Sequence, residues 1–337
     1  METKLLSNST ADLQEAAHLL KEGNVVGIPT ETVYGLAADA RNPEAVRQIF
    51  AAKGRPADNP LIVHIAKLEE LEGVAVSVPK LALKLAEKFW PGPLTMILPK
   101  HPSIPVITSG GLDTVGVRMP SHPVARKLIE LSGVPIAAPS ANISGYPSPT
   151  TAQHVMRDMH GKIAAVVDGG DCRVGVESTV IALEGEDSVR ILRPGYVTKE
   201  MLETVVPHVT LDKAILHQLQ EGQIVRSPGM KYQHYSPHAH VTLIEGRWPE
   251  FAAWVQQHAE AGTYALVFDG EGADLSVPYL TYGTGDAEQA HQVFAKLREL
   301  DDIGAKRVFV RAPNPNGIGL AVYNRLIRAA GFEVIQV

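Results

Sequence analysis

Lys53 and Arg55 stand two residues apart in the run Lys53-Gly54-Arg55-Pro56, just after a helical pattern. Arginine offers a planar fork to phosphate oxygens and lysine a mobile point charge, so the pair suits a phosphorylated ligand. The same cations also suit the negative end of a helix, and spacing alone leaves both readings open. Ser140 and Asn142 follow an apolar strand and Pro139. Their side chains can donate to phosphate or ribose oxygens, or close an ordinary turn. Arg118 ends the apolar run Val115-Gly116-Val117. An arginine buried there needs an anionic partner, which a substrate carboxylate would supply. His64, two residues from Ile62 in an apolar strand, reads first as a core histidine. His234, His238 and His240 have no matching cysteine and no acidic pair nearby, so no metal site is expected. Cys172, beside Arg173, has no paired histidine and acid and reads as incidental.

These residues need a scaffold, and the patterning supplies an α/β one. Apolar periodicity predicts helices over 11–22, from Asn42-Pro43-Glu44 to about Ala52, over Lys80 to Phe89, and from a Ser121 cap to about Leu131. Strands are expected at Val25–Ile28, Leu61–Ile65, Leu94–Leu98, Val115–Met119, Ile136–Ala138, Ile163–Val167 and Ser178–Leu183. Four segments, 30–35, 118–121, 139–142 and 168–178, each follow a strand with polar, Gly or Pro residues. Ligands bind at such places in open α/β sheets. Residues 207–238 hold one short helical pattern, Lys213 to Leu219, after which all period is lost, and the stretch reads as an irregular linker. From Val241 to Val337 strands and helices alternate again, as in a small parallel sheet of Rossmann type. That part lacks the glycine fingerprint of a dinucleotide site, and no Walker phosphate loop occurs anywhere.

A chain of 337 residues suits two domains, and 45% hydrophobic with 20% charged residues is ordinary for a globular protein. The net charge of −6 argues against a protein held to nucleic acid by bulk charge. One cysteine excludes an intramolecular disulfide framework and a Cys-rich zinc site. The polar start does not read as a signal peptide, and no apolar run approaches the roughly 20 residues of a membrane helix. Neither a membrane partner nor any compartment but the cytoplasm is therefore expected.

Seven motifs now occur in order. They are Pro29-Thr30-Glu31-Thr32-Val33-Tyr34-Gly35-Leu36, Lys53-Gly54-Arg55-Pro56 with Asn59-Pro60-Leu61, Phe89-Trp90-Pro91-Gly92-Pro93-Leu94-Thr95, Val117-Arg118-Met119-Pro120, Ala138-Pro139-Ser140-Ala141-Asn142, Val176-Glu177-Ser178-Thr179-Val180 and Leu192-Arg193-Pro194-Gly195. Together they resemble the YrdC/Sua5 family. The linker run Ser227-Pro228-Gly229-Met230-Lys231-Tyr232-Gln233-His234-Tyr235-Ser236-Pro237 and the run 316–326 are similar to its long Sua5 form. The resemblance implies a YrdC-like twisted mixed sheet with flanking helices over 8–206, a linker or lid over 207–238, and a smaller Rossmann-like domain over 239–337. It implies a nucleotidyltransferase that makes threonylcarbamoyl-AMP from L-threonine, bicarbonate and ATP, with Mg2+ arriving on the ATP. The product would pass to the machinery that modifies tRNA next to the anticodon, and a weak tRNA contact is among the expected interactions.

Carried over by motif, the resemblance implies that Lys53, Arg55, Ser140 and Asn142 would form the catalytic tetrad around the nucleotide. Asn59, Thr114, Ser148, Arg193 and Tyr235 would complete the ATP site. Thr32, His64, Arg118, Ala138 and Ser178 would hold threonine. The segment 227–237 is expected to fold over the nucleotide. Two rival functions are an RNA-binding module, disfavoured by the acidic charge, and a carbamoyl transferase of the hydrogenase-maturation type, disfavoured by the lack of Cys-rich zinc motifs.

Overall fold

Asn42 shows how the local sequence starts an element. Its side-chain oxygen accepts from the backbone N–H of Glu44 and of Ala45, at 3.0 and 3.2 Å, and Pro43 fills the first helical position. The resulting helix ends at Gly54, whose φ of +61° is the left-handed conformation that glycine adopts without penalty. The computed structural model describes residues 2–217 and 234–337. Those residues fall into two units, 2–144 with 148–215, and 145–147 with 216–217 and 234–337.

The strands of the first unit are β1 (Lys4–Leu6), β2 (Val26–Ile28), β3 (Gly35–Asp39), β4 (Ile62–His64), β5 (Leu94–Pro99), β6 (Thr114–Arg118), β7 (Ile136–Ala137), β8 (Ala165–Val167), β9 (Thr179–Leu183), β10 (Ser188–Arg193) and β11 (His208–Leu211). Among the described residues they form one eleven-stranded sheet in the order β1-β8-β2-β3-β7-β4-β6-β5-β9-β10-β11. Pairing is mixed. β2 and β8 are parallel, β7 is antiparallel to both β3 and β4, and β4 is parallel to β6. The helices are α1 (Thr10–Lys21), α2 (Pro43–Lys53), α3 (Lys80–Phe89), α4 (Pro123–Ser132), α5 (Ala152–Met159) and α6 (Lys199–Glu203). α1 and α4 bury Leu13, Ala17, Leu20, Ala125, Leu128 and Ile129 against Val26, Ile28, Ala37 and Ile136 of the sheet. Each fully buried leucine or isoleucine there is worth roughly 1.5–3 kcal/mol.

Three expectations shift. α4 is capped by His122, whose Nδ1 accepts from the Val124 N–H at 3.3 Å, and not by Ser121. β3, β10 and α5 were not expected: β3 is built mostly of small residues, β10 carries two arginines, and α5 spans only eight residues. The sheet also continues past 206, since β11 pairs with β10 in parallel register Ser188↔His208.

The second unit contains β12 (His240–Glu245), α7 (Trp248–His258), β13 (Thr263–Val267), β14 (Tyr279–Thr281), α8 (Asp286–Asp302), β15 (Arg307–Arg311), α9 (Gly319–Ala329) and β16 (Val334–Gln336). Its five strands run parallel in the order β14-β13-β15-β12-β16, the Rossmann-like sheet read from the sequence. Phe251, Val255, Ala265, Val267 and Phe309 form a core beneath it.

Candidate active site

β4 and β6 pair in parallel with His64 opposite Arg118. β5 runs antiparallel to β6 with Met96 opposite Val117, so Thr95 lies across from Arg118 on the other side. Cross-strand neighbours share a face. His64, Arg118 and Thr95 therefore form one polar rung. The next rung on that face is Ile62, Gly116 and Ile97, an apolar floor. A Cβ at Gly116 would lie 3.2 Å from Thr95 Cγ2 and 3.4 Å from Ile62 Cγ1, so the floor has no room for a larger residue.

The four loops singled out by their composition converge. The carboxyl-end rule for parallel sheets does not explain this, because β6 runs opposite to β2, β7 and β8. Backbone hydrogen bonds do. Leu36 N–H donates to Pro139 O at 2.8 Å, and Ala141 N–H to Tyr34 O at 2.9 Å. Val174 N–H donates to Glu31 O at 2.7 Å, and Gly175 N–H to Thr32 O at 3.0 Å. The Tyr34 hydroxyl donates to Gly170 O at 2.8 Å and accepts from Gly169 N–H at 3.2 Å; burial pushes its pKa well above the usual tyrosine value. Gly35 permits the close approach, since a Cβ there would lie 3.1 Å from the Ala138 methyl. Arg118 closes the ring by reaching into the 30–34 loop.

Arg118 is buried, and the anion it needs is Glu31. Nη2 donates to Glu31 Oε1 at 2.5 Å, Nη1 to Thr32 Oγ1 at 2.9 Å and Nε to Gly92 O at 3.3 Å. Sequence reasoning left that place to a substrate carboxylate, and the protein supplies a carboxylate of its own. Burial pushes the Glu31 carboxyl up, but the charge and hydrogen bond of Arg118 more than reverse this and hold it below the usual range. Three donors of Arg118 are used, and a guanidinium has five, so two remain for a ligand.

The hydroxyls beside it have fixed directions. Thr30 Oγ1 gives its one hydrogen to Val33 O at 2.6 Å. In the 2.8 Å contact between Thr30 Oγ1 and Thr32 Oγ1, Thr32 is therefore the donor. Thr32 thus has no hydrogen left and offers a ligand only a lone pair. His64 Nδ1 lies 3.2 Å from Ile62 O and so carries the proton. Burial, and then the charge of Arg118, lower its pKa to about 3, so the ring is neutral at physiological pH.

Ser178 shares a 2.8 Å hydroxyl contact with Thr95. Arg193 Nη2 donates to Ser178 Oγ at 3.2 Å and to Ser178 O at 3.1 Å. Ser148 donates to Glu177 Oε1 at 2.5 Å. Ser148 and Arg193, read as nucleotide residues, are thereby bonded to the 177–178 segment. Ala138 pairs through its N–H with Ile62 O at 3.0 Å, one rung from His64 on the same face.

A second cluster gathers at the start of β4 and β6. Lys53, the last residue of α2, is buried, and Nζ donates to Ser140 O at 2.5 Å and Asn142 O at 2.7 Å. Three of the four tetrad residues are thus together, and half-buried Arg55 follows two positions on. Asn59 is completely buried, and among the described residues neither amide atom has a hydrogen-bond partner. Thr114 begins the strand that Arg118 ends, so about 13 Å of backbone separates them.

Tyr235 is in the second unit, buried, with its ring 5.2 Å from Phe294 and the Arg325 guanidinium 5.7 Å away. Ser227 to Gln233 of the expected lid lie outside the described residues. His240 pairs with Glu333 at 3.0 Å, and no group of three or more His, Cys, Asp or Glu among the described residues is placed to hold a metal ion. Cys172 is buried, and burial raises its thiol pKa. Glu31, Glu177 and Thr95 are the site residues that sequence reasoning missed. The signal for Glu31 was present: a buried arginine demanded an anion, and a carboxylate stood inside an otherwise uncharged motif.

Fold and site together define a two-unit α/β protein whose first unit gathers buried polar residues, with a guanidinium–carboxylate pair at one end and a lysine-held turn at the other. Residues 18–195 match the Sua5/YciO/YrdC family, described under telomere recombination, and residues 197–331 match the threonylcarbamoyl-AMP synthase C-terminal domain. The chain belongs to the Sua5/YrdC family. It is 46% identical over 327 residues to threonylcarbamoyl-AMP synthase of Pyrococcus abyssi, covering 96% of this chain and 95% of that one. It is 44% identical over 342 residues to the enzyme of that name from Bacillus subtilis, covering 99% and 97%. The crystal structure of P. abyssi Sua5 complexed with L-threonine superposes with a TM-score of 0.93 at 43% identity, over 100% of both chains.

Proposed function

We propose that this chain is a threonylcarbamoyl-AMP synthase, making L-threonylcarbamoyl-AMP and pyrophosphate from L-threonine, bicarbonate and ATP to supply the modification of tRNA position 37. The observation that carries the reading is the Arg118 cluster: a buried guanidinium with two donors to spare, bonded to the acceptors Glu31 and Thr32, as an amino acid's carboxylate and nitrogen require.

In this reading Arg118 takes the threonine carboxylate. Thr32, His64 and Ser178 line the amine and hydroxyl, and the methyl meets Ala138. The threonine nitrogen takes up CO2 from bicarbonate as a carbamate. A carbamate oxygen then attacks the α-phosphorus, the bond to the bridging oxygen breaks and pyrophosphate leaves. ATP enters as its Mg2+ complex, the ion resting mainly on phosphate oxygens and water. Lys53, Arg55, Ser140 and Asn142 surround the reacting phosphate, where fixed donors and charges supply most of the catalysis. Asn59 and Thr114 take the far end of the nucleotide, and Ser148 and Arg193 complete its set within the first unit. The buried amide of Asn59 supports this, because an unpaired buried polar group costs about 1–3 kcal/mol that a ligand would recover. Burial of the site also protects the carbamate, which loses CO2 readily in water.

Serine tests the pocket. It lacks the methyl that meets Ala138, a difference worth about 1–3 kcal/mol, or roughly 10–200-fold in kcat/KM. Pyrophosphate release with serine is expected to be lower by that factor. Equal release from the two amino acids would remove the threonine assignment.

A further inference from the structure

Glu31 does more in this geometry than neutralise Arg118. Its Oε1 accepts from Arg118, while Oε2 is buried and, among the described residues, makes no hydrogen bond of normal geometry, the backbone N–H groups of Glu31 and Ser121 lending the carboxylate only weaker support. A carboxylate oxygen left in that condition is costly, and its natural counterpart is a strong donor that arrives from outside. Thr32 next to it is likewise limited to accepting, because its one hydrogen goes to Thr30. Arg118, in contrast, retains donors. The pocket therefore presents donors and acceptors side by side, in the arrangement of an α-amino acid's carboxylate and nitrogen.

We propose that Glu31 binds substrate directly, its Oε2 accepting an N–H of the threonine nitrogen while Arg118 holds the carboxylate, so that the pair selects α-amino acids over their α-hydroxy counterparts. This inference rests on the functional reading above. The nitrogen keeps at least one N–H as ammonium, amine and carbamate, so the contact persists through carbamate formation. The rival role for Glu31 is purely indirect, as a brace for Arg118.

The two roles separate in a binding experiment with two ligands. Threonine and 2,3-dihydroxybutanoate of the same stereochemistry share carboxylate, side chain and size, and differ only in nitrogen against hydroxyl. A hydroxyl both donates and accepts, so it can face a carboxylate or an amide; an ammonium can only donate. In Glu31→Gln the amide oxygen can still serve Arg118, and the NH2 then faces the substrate nitrogen. Calorimetric titration is expected to show threonine binding weakened roughly 10–150-fold, the range for one hydrogen bond to a charged group, with the dihydroxy acid changed by less than about threefold. Equal weakening of both ligands, or unchanged threonine affinity, overturns the proposal. If the variant does not fold, the wild-type protein decides alone: it should prefer threonine to the dihydroxy acid at least about tenfold, and equal affinities overturn the proposal. Wild-type pyrophosphate release from threonine, bicarbonate and ATP is measured in parallel. If it is present while the ligand preference fails, this inference falls by itself; if it is absent, the functional reading falls and takes the inference with it.

Discussion

Arg118→Ala is expected to destabilise the protein by about 3–5 kcal/mol at pH 7.5, the usual loss when one partner of a buried ion pair is removed, and to abolish threonine-dependent turnover. The Glu31 carboxylate would remain buried with its countercharge gone. The loss should depend on pH with a defined sign. In the wild type the folded pKa of Glu31 lies below its ordinary value of 4.5, so its contribution is present above that value and disappears as pH falls through the folded pKa. In the variant the charge and hydrogen bond of Arg118 no longer offset burial, which is then opposed only by backbone N–H groups of Glu31 and Ser121, and the folded pKa rises. The penalty is then absent below the ordinary value and grows as pH rises. Urea unfolding should show a smaller gap between variant and wild type at pH 5 than at pH 7.5. Adding Glu31→Gln should restore at least about 1 kcal/mol by removing the orphaned charge. A gap that is the same at both pH values would mean that Glu31 is not the residue paying for the loss of Arg118.

Lys53 carries the second large effect. Lys53→Ala should lower kcat at saturating ATP by at least about 100-fold, the scale for removing one preorganised charge-stabilising donor. Read from sequence, Lys53 and Arg55 both belong to a Gly-Pro loop whose loss leaves packing intact. The structure separates them. Lys53 closes α2, is buried, and bonds two carbonyls of the 140–142 turn. Its removal should therefore also cost about 1–3 kcal/mol of stability, because two acceptors lose a charged donor. Arg55→Ala, at a half-buried position beyond the helix, should reduce turnover with stability changed by less than about 0.5 kcal/mol. Steady-state kinetics and urea unfolding of the two variants check this. Wild-type turnover in either variant removes that residue from the phosphate site, and unchanged stability of Lys53→Ala contradicts the turn-holding role.

What the sequence made legible was local. The Asn42 cap, the glycine after α2 and the apolar stripes of α1, α3 and α4 depend on residues a few positions apart, and each lies where the pattern places it. The alternation after Val241 was enough to read a parallel sheet. What was not legible depends on long-range register. Arg118 and Glu31 are 87 residues apart, and Lys53 reaches a turn 87 to 89 residues away. The rung His64–Arg118–Thr95 exists only once β4, β6 and β5 are paired. A motif can mark such residues as special, but it cannot say that a second carboxylate stands beside the arginine. That fact changes the chemistry of the pocket from a simple anion hole to a paired donor and acceptor.

The identity of the product tests the assigned reaction most directly. The protein should be incubated with L-threonine, ATP, Mg2+ and 13C-labelled bicarbonate, and the mixture resolved by mass. Threonylcarbamoyl-AMP carrying one heavy carbon, formed with an equal amount of pyrophosphate and absent when any one substrate is omitted, is the predicted result. Pyrophosphate released without bicarbonate, or an adenylate of threonine that contains no labelled carbon, would contradict it.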